Sequence, residues 1–262
     1  MKSHLSSISQ QKISEPPRQI PSELYNDYTM NGTIDVIDRY LDDSNNSINN
    51  PMWSNNIIQT FVGIYTFSNI TSQDFTIVEP YPGCSKLHVE ACEKYSDNIK
   101  NKNIAVIGSI TPWIEAILIN AGAKSITTVE YNVPECNHDI IKTISYDDFC
   151  ISNEKYDSVF SFSSIEHSGL GRYGDPLNPN GDIETMNHIH NSLKDGGMVF
   201  IGFPVGRDAI VWNAHRIYGP KRLELIFKDF NEIEWIGLNK DYIYSCPPQR
   251  NGPQPLIVLK KK

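Results

Sequence analysis

The stretch from Asn103 to Tyr131 constrains the fold more than any other part of the chain. It reads N-I-A-V-I-G-S-I-T-P-W-I-E-A-I-L-I-N-A-G-A-K-S-I-T-T-V-E-Y. A short apolar run stops at Gly108. A helix-like stretch over 112–121 follows. Thr111 is placed to cap it, Pro112 suits the first helical position, and Gly122 supplies a stop. A second β-rich run, 125–130, then ends in the carboxylate of Glu130. Strand, tight turn, helix and parallel strand with an acid at its end form the unit in which many proteins hold the ribose of a nucleotide or nucleoside cofactor.

The alternation continues. A weaker third strand ends near Ile144, just before Tyr146, Asp147 and Asp148. A fourth strand spans 156–162, and a helix over about 182–193 ends in L-K-D-G-G, 193–197. A fifth strand over 198–203, a helix near 220–227 and strands over 232–238 and 255–259 complete the pattern. This spacing predicts an α/β fold with a doubly wound, mostly parallel sheet that binds its ligand at the carboxyl ends of the strands. Three regions follow. Residues 1–50 read as a mobile polar arm and linker. Within them, Ile34, Ile37 and Leu41 have helical spacing behind a Thr33 cap, and D-D-S-N-N-S-I-N-N-P, 42–51, is a linker by composition. Residues 51–100 read as a helical layer, with one helix in 52–70 carrying Trp53, Ile57, Ile58, Phe61, Val62 and Tyr65 and another over 85–98. Residues 101–262 form the α/β body.

Composition excludes several function classes. A net charge of -8 argues against duplex nucleic acid as a partner, because phosphate contacts need clustered Lys and Arg. No apolar run is long enough to span a bilayer, and the start, M-K-S-H-L-S-S-I-S-Q-Q-K, lacks the apolar centre of a signal peptide. The five cysteines, Cys84, Cys92, Cys136, Cys150 and Cys246, are odd in number and scattered. They predict neither a disulfide framework nor a zinc site, and a cytoplasmic setting fits them. Oligomeric state is not encoded in any of these features.

Glu130 lies 22 positions after Gly108, close to the roughly 20 residues expected for a ribose-binding acid. A carboxylate there accepts hydrogen bonds from both ribose hydroxyls. Asp147 or Asp148 stands where an adenine amino group would donate. The competing reading of Glu130 is a solvated strand end. The first turn is not G-x-G-x-x-G: Gly108 is followed by Ser109, Ile110, Thr111, Pro112 and Trp113. A pyrophosphate needs free N–H groups and close backbone approach at the helix start. Pro112 removes one donor and Trp113 brings bulk in place of a glycine. Both features turn the reading away from a nicotinamide dinucleotide and towards a phosphate-free nucleoside cofactor such as S-adenosylmethionine.

These residues carry a resemblance. The V-I-G turn, Glu130, Asp147-Asp148, the S-S-I-E-H of 163–167 and the L-K-D-G-G before a β run make residues 100–262 similar to the class I S-adenosylmethionine-dependent methyltransferases. Within that superfamily, G-S-I-T-P-W-I-E-A, T-V-E-Y-N and S-S-I-E-H-S-G-L-G-R-Y-G-D-P-L-N-P-N-G-D resemble a family catalogued as a domain of unknown function. The resemblance implies a seven-stranded Rossmann-like sheet whose last strand is antiparallel. It also implies S-adenosylmethionine as cofactor, met by Gly108, Ser109, Glu130, Asp147, Asp148 and Ser163. Of the two or three glycines of most relatives, only Gly108 is present.

The acceptor half is dense in functional groups. Residues 163–188 carry Glu166, His167, Arg172, Tyr173, Asp175, Asp182, Glu184 and His188, with four glycines and two prolines that suit an ordered loop. Methyl transfer to a hydroxyl or amine needs a positioned nucleophile and a base. His167, oriented or charge-paired by Glu166, and His215 are the candidate bases. Arg172 and Tyr173 read as substrate contacts or loop anchors. Arg207 and Arg216 suit a carboxylate, phosphate or acidic sugar, with a surface ion pair as the alternative for at least one of them. Asp175, Asp182, Glu184 and His188 lack any metal-ligand spacing, so no metal is expected. Ser163-Ser164 lacks the G-x-S-x-G turn of a nucleophile. The expected activity is methylation, on O or N, of a small polar molecule or glycan-type acceptor. The alternatives are a catalytically inactive methyltransferase-like binding module and an NAD- or nucleotide-sugar-linked enzyme.

Overall fold

A computed structural model of the chain describes residues 15–44, 51–72, 79–247 and 249–262. Part of the expected arm (1–14) and part of the expected linker (45–50) lie outside the described residues. In chain order the elements begin with α1 (Tyr25–Tyr28), β1 (Asp35–Arg39), β2 (Met52–Trp53), α2 (Asn55–Ile64), α3 (Phe67–Thr71) and α4 (Cys84–Lys94). Then come β3 (Asn103–Ile107), α5 (Trp113–Asn120), β4 (Ser125–Glu130), β5 (Glu135–Cys136), β6 (Ile141–Ser145), α6 (Tyr146–Ile151), β7 (Tyr156–Phe162) and α7 (Gly181–Ser192). The chain closes with β8 (Leu193–Gly202), β9 (Ala209–Asn213), β10 (His215–Ile217), α8 (Pro220–Ile226), β11 (Phe230–Ile236), α9 (Tyr242–Ser245) and β12 (Leu256–Lys261). Among the described residues no helix is long and apolar enough to cross a membrane.

Seven strands form one sheet in the order β11-β12-β8-β7-β3-β4-β6. Strands β6, β4, β3, β7 and β8 are mutually parallel. β12 runs antiparallel to both β8 and β11. This is the doubly wound, mostly parallel Rossmann-like sheet with an antiparallel last strand that the resemblance implies. The chain winds from β3 outward through β4 to β6, then returns to β7 on the other side of β3. Such a reversal opens a crevice at the carboxyl ends of the strands. The loops after β3, β4 and β7 all emerge there.

The strands read as apolar runs because both faces are covered. Successive side chains point to opposite faces, so Ile104 and Val106 join one buried cluster while Ala105 and Ile107 join the other. Helices α2, α4 and α5 cover the first face. Phe149 of α6, Met186 and Ile189 of α7 and Leu223 of α8 pack on the second. Local signals place several ends. Ser54, Thr66 and Ser145 cap α2, α3 and α6 by accepting from backbone amides. Gly122, in the left-handed region, ends α5: its amide bonds the Ile119 carbonyl at 2.9 Å and the Ala123 amide bonds the Leu118 carbonyl at 3.0 Å.

Three expectations are corrected. Residues 34–41 are not a helix: β1 lies parallel to β9, with Ile37 opposite Val211, in a small sheet β1-β9-β10. A spacing of three and four is also met by a strand whose Ile37 faces a partner, and here the ladder offered by β9 decides. Thr111 does not cap α5. Its carbonyl accepts from the Trp113 amide and the Ser109 hydroxyl, the helix starts at Trp113, and Pro112 stands before it. The fifth strand starts at Leu193, not 198. Its pairing jumps from Tyr156–Leu193 to Ser158–Met198, which bulges out Lys194 to Gly197, with Gly196 at positive φ.

Candidate functional site

At the end of β3 the backbone turns through Gly108 at φ 79°. A side chain there would overlap the Ser164 hydroxyl and Cβ of the loop after β7. Gly108 thus lets two loops meet over the switch point. The next residue, Ser109, is buried. Its hydroxyl lies 2.9 Å from the Thr111 carbonyl and 2.9 Å from Oε2 of Glu115, whose Oε1 accepts from the Thr128 hydroxyl at 2.7 Å. Burial pushes the Glu115 carboxyl up to about 7 against these hydroxyls. Glu130 ends β4 beside this cluster. Its carboxylate accepts from the Tyr131 amide at 3.1 Å. Burial raises it to about 7, with the Tyr131 and Ser109 amides acting the other way. Tyr131 itself is 56% exposed, and its ring lies 5.1 Å from that of Tyr146.

Asp147 and Asp148 occupy the first turn of α6. They are not equivalent. Asp148 accepts the Ser145 hydroxyl at 2.7 Å while its own amide donates back to Ser145 Oγ at 3.0 Å, so its carboxylate is committed to the cap. Trp113, expected to crowd the turn, points away from it. Its ring packs into the core against His88, Phe162 and Tyr65, because the apolar face of α5 turns towards α2 and α4.

The second half of the site is a cavity of about 270 Å³. Ser163, Glu166, His167, Arg172 and Tyr173 line it from the loop after β7. Tyr81 comes from before α4, Pro204 and His215 from the segment after β8, and Gln254 from before β12. Ser163 takes a left-handed conformation, φ 53°, unusual for a residue with a side chain. Its amide is held by the Gly202 carbonyl at 2.8 Å, and its hydroxyl donates to Glu166 Oε1 at 2.9 Å. The other carboxyl oxygen of Glu166, Oε2, is buried and has no partner among the described residues; the same holds for Gln254 Oε1. Burial pushes Glu166 up to about 7, opposed by Ser163 and by the charge of Arg172.

The histidines have defined tautomers. His167 Nδ1 lies 2.6 Å from the Ala214 carbonyl, which can only accept, so Nδ1 carries the proton and Nε2 presents a lone pair 3.6 Å from Glu166 Oε1. His215 Nε2 donates to the Arg250 carbonyl at 3.0 Å. Burial, and then the nearby Arg172, press His167 down to about 3; burial is also the main reason His215 falls to about 4. Both rings are neutral, and both are far weaker bases than a free imidazole.

The arginines separate. Arg172 reaches the cavity, held by Asp43 at 2.7 Å with its guanidinium 4.9 Å from the Tyr173 ring centroid. Arg216 does not. It is 2% exposed and donates to the carbonyls of Glu166, Ser168, Asn178 and Pro179. Its expected substrate contact is corrected to a structural brace, because the loop turns its carbonyls inward. Arg207 is also outside the cavity, on the surface, paired with Asp35 at 3.1 Å. Asp175 collects the amides of Gly169, Gly171 and Tyr173. Asp182 sits fully buried between Arg222 at 2.5 Å and Arg216 at 3.6 Å, and accepts the Tyr218 hydroxyl at 3.0 Å. Burial works against its charge, but the two arginines outweigh it and hold the carboxyl below its usual range.

Sequence reasoning missed Tyr81, Gln254, Asp43 and Glu115. Glu115 left a signal, as the single charge in the helix W-I-E-A-I-L-I-N. The other three lie in loops whose approach to the site is set by tertiary folding.

A profile described as "Caenorhabditis protein of unknown function, DUF268" matches residues 101–243, more than half of the chain. The chain belongs to this family. The match spans β3 to α9, and so takes in both the turn at Gly108 and the loop at Glu166. No curated protein sequence matches significantly. Among solved structures, the chain is similar to the N-methyltransferase NodS from Bradyrhizobium japonicum WM9 in complex with S-adenosyl-L-homocysteine, at 13% identity and a TM-score of 0.49, over 79% of this chain and 99% of that one. It is also similar to a putative S-adenosylmethionine-dependent methyltransferase from Listeria monocytogenes, at 11% identity and a TM-score of 0.47, over 68% and 99% of the two chains. A third is the 1,6-didemethyltoxoflavin-N1-methyltransferase of Burkholderia thailandensis, at 11% identity and a TM-score of 0.47, over 72% and 92%.

Proposed function

We propose that the chain is an S-adenosylmethionine-dependent methyltransferase that acts on a hydroxyl or amine of a small polar molecule or glycan, with Glu166 taking the acceptor's proton. The observation that carries this reading is the fully buried Glu166, which lines a cavity next to the switch point of the sheet and whose Oε2 has no partner among the described residues. A buried polar atom without a partner costs roughly 1–3 kcal/mol. A ligand hydroxyl or amine would satisfy it.

The cofactor half fits the group on its own terms. Glu130 is a carboxylate partly withdrawn from water and set beside the turn, as a ribose diol requires. Tyr131 offers an exposed aromatic face, and Asp147 is the acid left for an adenine amino group once Asp148 is spent on its cap. Bound there, S-adenosylmethionine supplies a methyl group on a positively charged sulfur, which departs as a neutral thioether.

The proteinaceous groups then divide the work. Ser163 fixes one oxygen of Glu166 and leaves the other for the acceptor. Glu166, at about 7, matches the neutral operating range better than His167 at about 3, since general bases work best with a pKa near the ambient pH. His167 and His215 become acceptors of ligand hydrogen bonds or braces for the loop. Arg172, steadied by Asp43, faces an anionic or electron-rich part of the acceptor. The acceptor's proton passes to Glu166 as its oxygen or nitrogen gains the methyl, so no charge is left stranded in the cavity.

Calorimetry with S-adenosylmethionine and S-adenosylhomocysteine tests the cofactor, and Glu130→Ala is expected to weaken either at least about tenfold, the worth of one charge-assisted hydrogen bond. No heat at protein concentrations able to detect a ~100 μM affinity would end the reading. One observation favours a non-catalytic module instead: packing against Ser164 accounts for Gly108 without any cofactor. The same titration decides between them. An NAD-linked reading still meets the missing amide of Pro112, and a titration with NAD separates it.

A further inference from the structure

The hydrogen bonds around Ser109 do not close unless one more proton is counted. A serine hydroxyl has one proton to donate. Ser109 Oγ lies 2.9 Å from the Thr111 carbonyl oxygen and 2.9 Å from Glu115 Oε2. The carbonyl, which also takes the Trp113 amide at 2.8 Å, can only accept, and so can an ionised carboxylate. With Glu115 ionised, the one Ser109 proton serves a single bond, and the other 2.9 Å oxygen–oxygen contact is left without a hydrogen inside the protein. If Oε2 carries a proton, every contact is satisfied. Glu115 donates to Ser109, Ser109 donates to Thr111, and the Thr128 hydroxyl donates to Glu115 Oε1 at 2.7 Å.

The surroundings agree. Glu115 is fully buried. Helix α5 brings no other charge, and α2, packed on it, has no titratable side chain. Facing groups from other elements are Glu130 at the end of β4 and Cys136 on β5. On α4, His88 packs its ring against Trp113, Phe160 and Phe162 and bonds the Cys84 carbonyl. None of these is a cation at neutral pH, and Glu130 repels a second negative charge. Burial works in the same direction and raises the carboxyl to about 7.

We infer that Glu115 is a positioning residue held as a neutral acid, whose proton completes a chain from Thr128 through Glu115 and Ser109 to Thr111 and thereby shapes the turn that faces Glu130. In this chain a hydroxyl–carboxyl–hydroxyl clamp does what additional glycines do in a tighter phosphate-binding turn: it fixes the path between β3 and α5. The link to ligand binding rests on the S-adenosylmethionine reading above; the clamp itself does not.

Two readouts test it. The first is thermal unfolding at pH 5 and pH 8, which needs no ligand. Glu115→Gln keeps one donor and one acceptor in nearly the same shape but cannot ionise. It is expected to fold and to lose less melting temperature between pH 5 and pH 8 than the wild type. Equal losses in the two proteins would overturn the proposal. The second readout is S-adenosylhomocysteine affinity at pH 7. Glu115→Gln is expected within about twofold of wild type, while Glu115→Ala and the isosteric Thr128→Val, which opens one arm, are expected to bind more weakly, by about tenfold and threefold. Glu115→Gln losing as much as Glu115→Ala would also overturn it. Should Glu115→Ala fail to fold, Thr128→Val supplies the comparison, and full affinity in that variant counts against the clamp. If the wild type binds no S-adenosylhomocysteine, the functional reading fails while the unfolding arm still decides the fate of Glu115.

Discussion

The two halves of the site are built from different material. The half around Gly108, Ser109 and Glu130 comes from consecutive elements, β3, α5, β4 and α6. It is held by the strand ladder, a Ser145 cap and short hydroxyl–carboxyl bonds. The half around Glu166 is assembled from segments far apart in sequence. Tyr28 donates to the Gly169 carbonyl, Trp212 to the Pro17 carbonyl and Arg172 to Asp43, and Asp182 gathers two arginines. Local elements close short loops. The second half must close long ones and must also desolvate charges, which repays only when the geometry is complete. The first half is therefore expected to keep its shape when the second is damaged.

Asp182→Ala presses hardest on that difference. It leaves Arg216 and Arg222 buried without their carboxylate, a change that costs about 3–5 kcal/mol. Denaturant unfolding should register a loss of that size, while the folded fraction keeps its S-adenosylhomocysteine affinity within about threefold. A collapse of both together would mean that the halves are one cooperative unit.

Glu166→Gln separates the halves chemically. On the proposed function, methyl transfer is expected to fall about 10²- to 10⁴-fold, the usual contribution of a positioned base, with cofactor affinity unchanged. In the wild type kcat/KM should rise with pH through about 7, the value to which burial raises Glu166. A flat profile in single-turnover assays, or a variant of near-normal rate, would remove Glu166 from the chemistry.

Stability against pH compares the halves through their titrating groups. Glu115, Glu130 and Glu166 are all raised to about 7 from 4.5. Between those values the folded state binds more protons than the unfolded one, so these groups lower stability as pH rises, and the loss is complete by about pH 8. His88, His167 and His215 are pressed down to about 4, 3 and 4 from 6.5. There the unfolded state binds more protons, so stability falls as pH drops from 6.5 towards 4. The two trends oppose each other between pH 4.5 and 6.5, where a plateau is expected. From pH 6.5 to 8 a loss on the order of 1–2 kcal/mol in total follows, since a tenfold change in proton affinity is about 1.4 kcal/mol. Unfolding curves across the range check this, and a rise in stability from pH 6.5 to 8 would contradict it.

The smallest effect belongs to Arg207→Ala. The Arg207–Asp35 pair lies on the surface, and such pairs contribute under about 1 kcal/mol. It ties β1 to the segment after β8 without touching the cavity, so methyl transfer and unfolding should both stay near wild type.

Much of the first half was legible in order along the chain. The extents of β4 and β7, the stop at Gly122 and the place of Glu130 all follow from patterns of a few residues, because β-branched, aromatic and small side chains suit a strand covered on both faces. Glu166 was also visible, as a charge just after a strand, while the proposed exchange of roles with His167 was not. The reason is burial: a sequence displays the ordinary pKa of an imidazole, while packing among Arg172, Tyr173 and His215 removes the water on which that value depends.

By itself, then, the sequence determined the β-α-β order and the residues that stand at the strand ends. Each follows from periodicity and from local turn chemistry, which act over a handful of neighbouring residues. Tertiary structure alone decided that Ile37 lies in a strand, that Arg216 is a brace and Arg172 a cavity wall, that Gly108 makes room for Ser164, and that Glu115 is buried against the hydroxyls of Ser109 and Thr128. Each of those depends on what a distant segment places within about 3–4 Å, where hydrogen bonds and desolvation act.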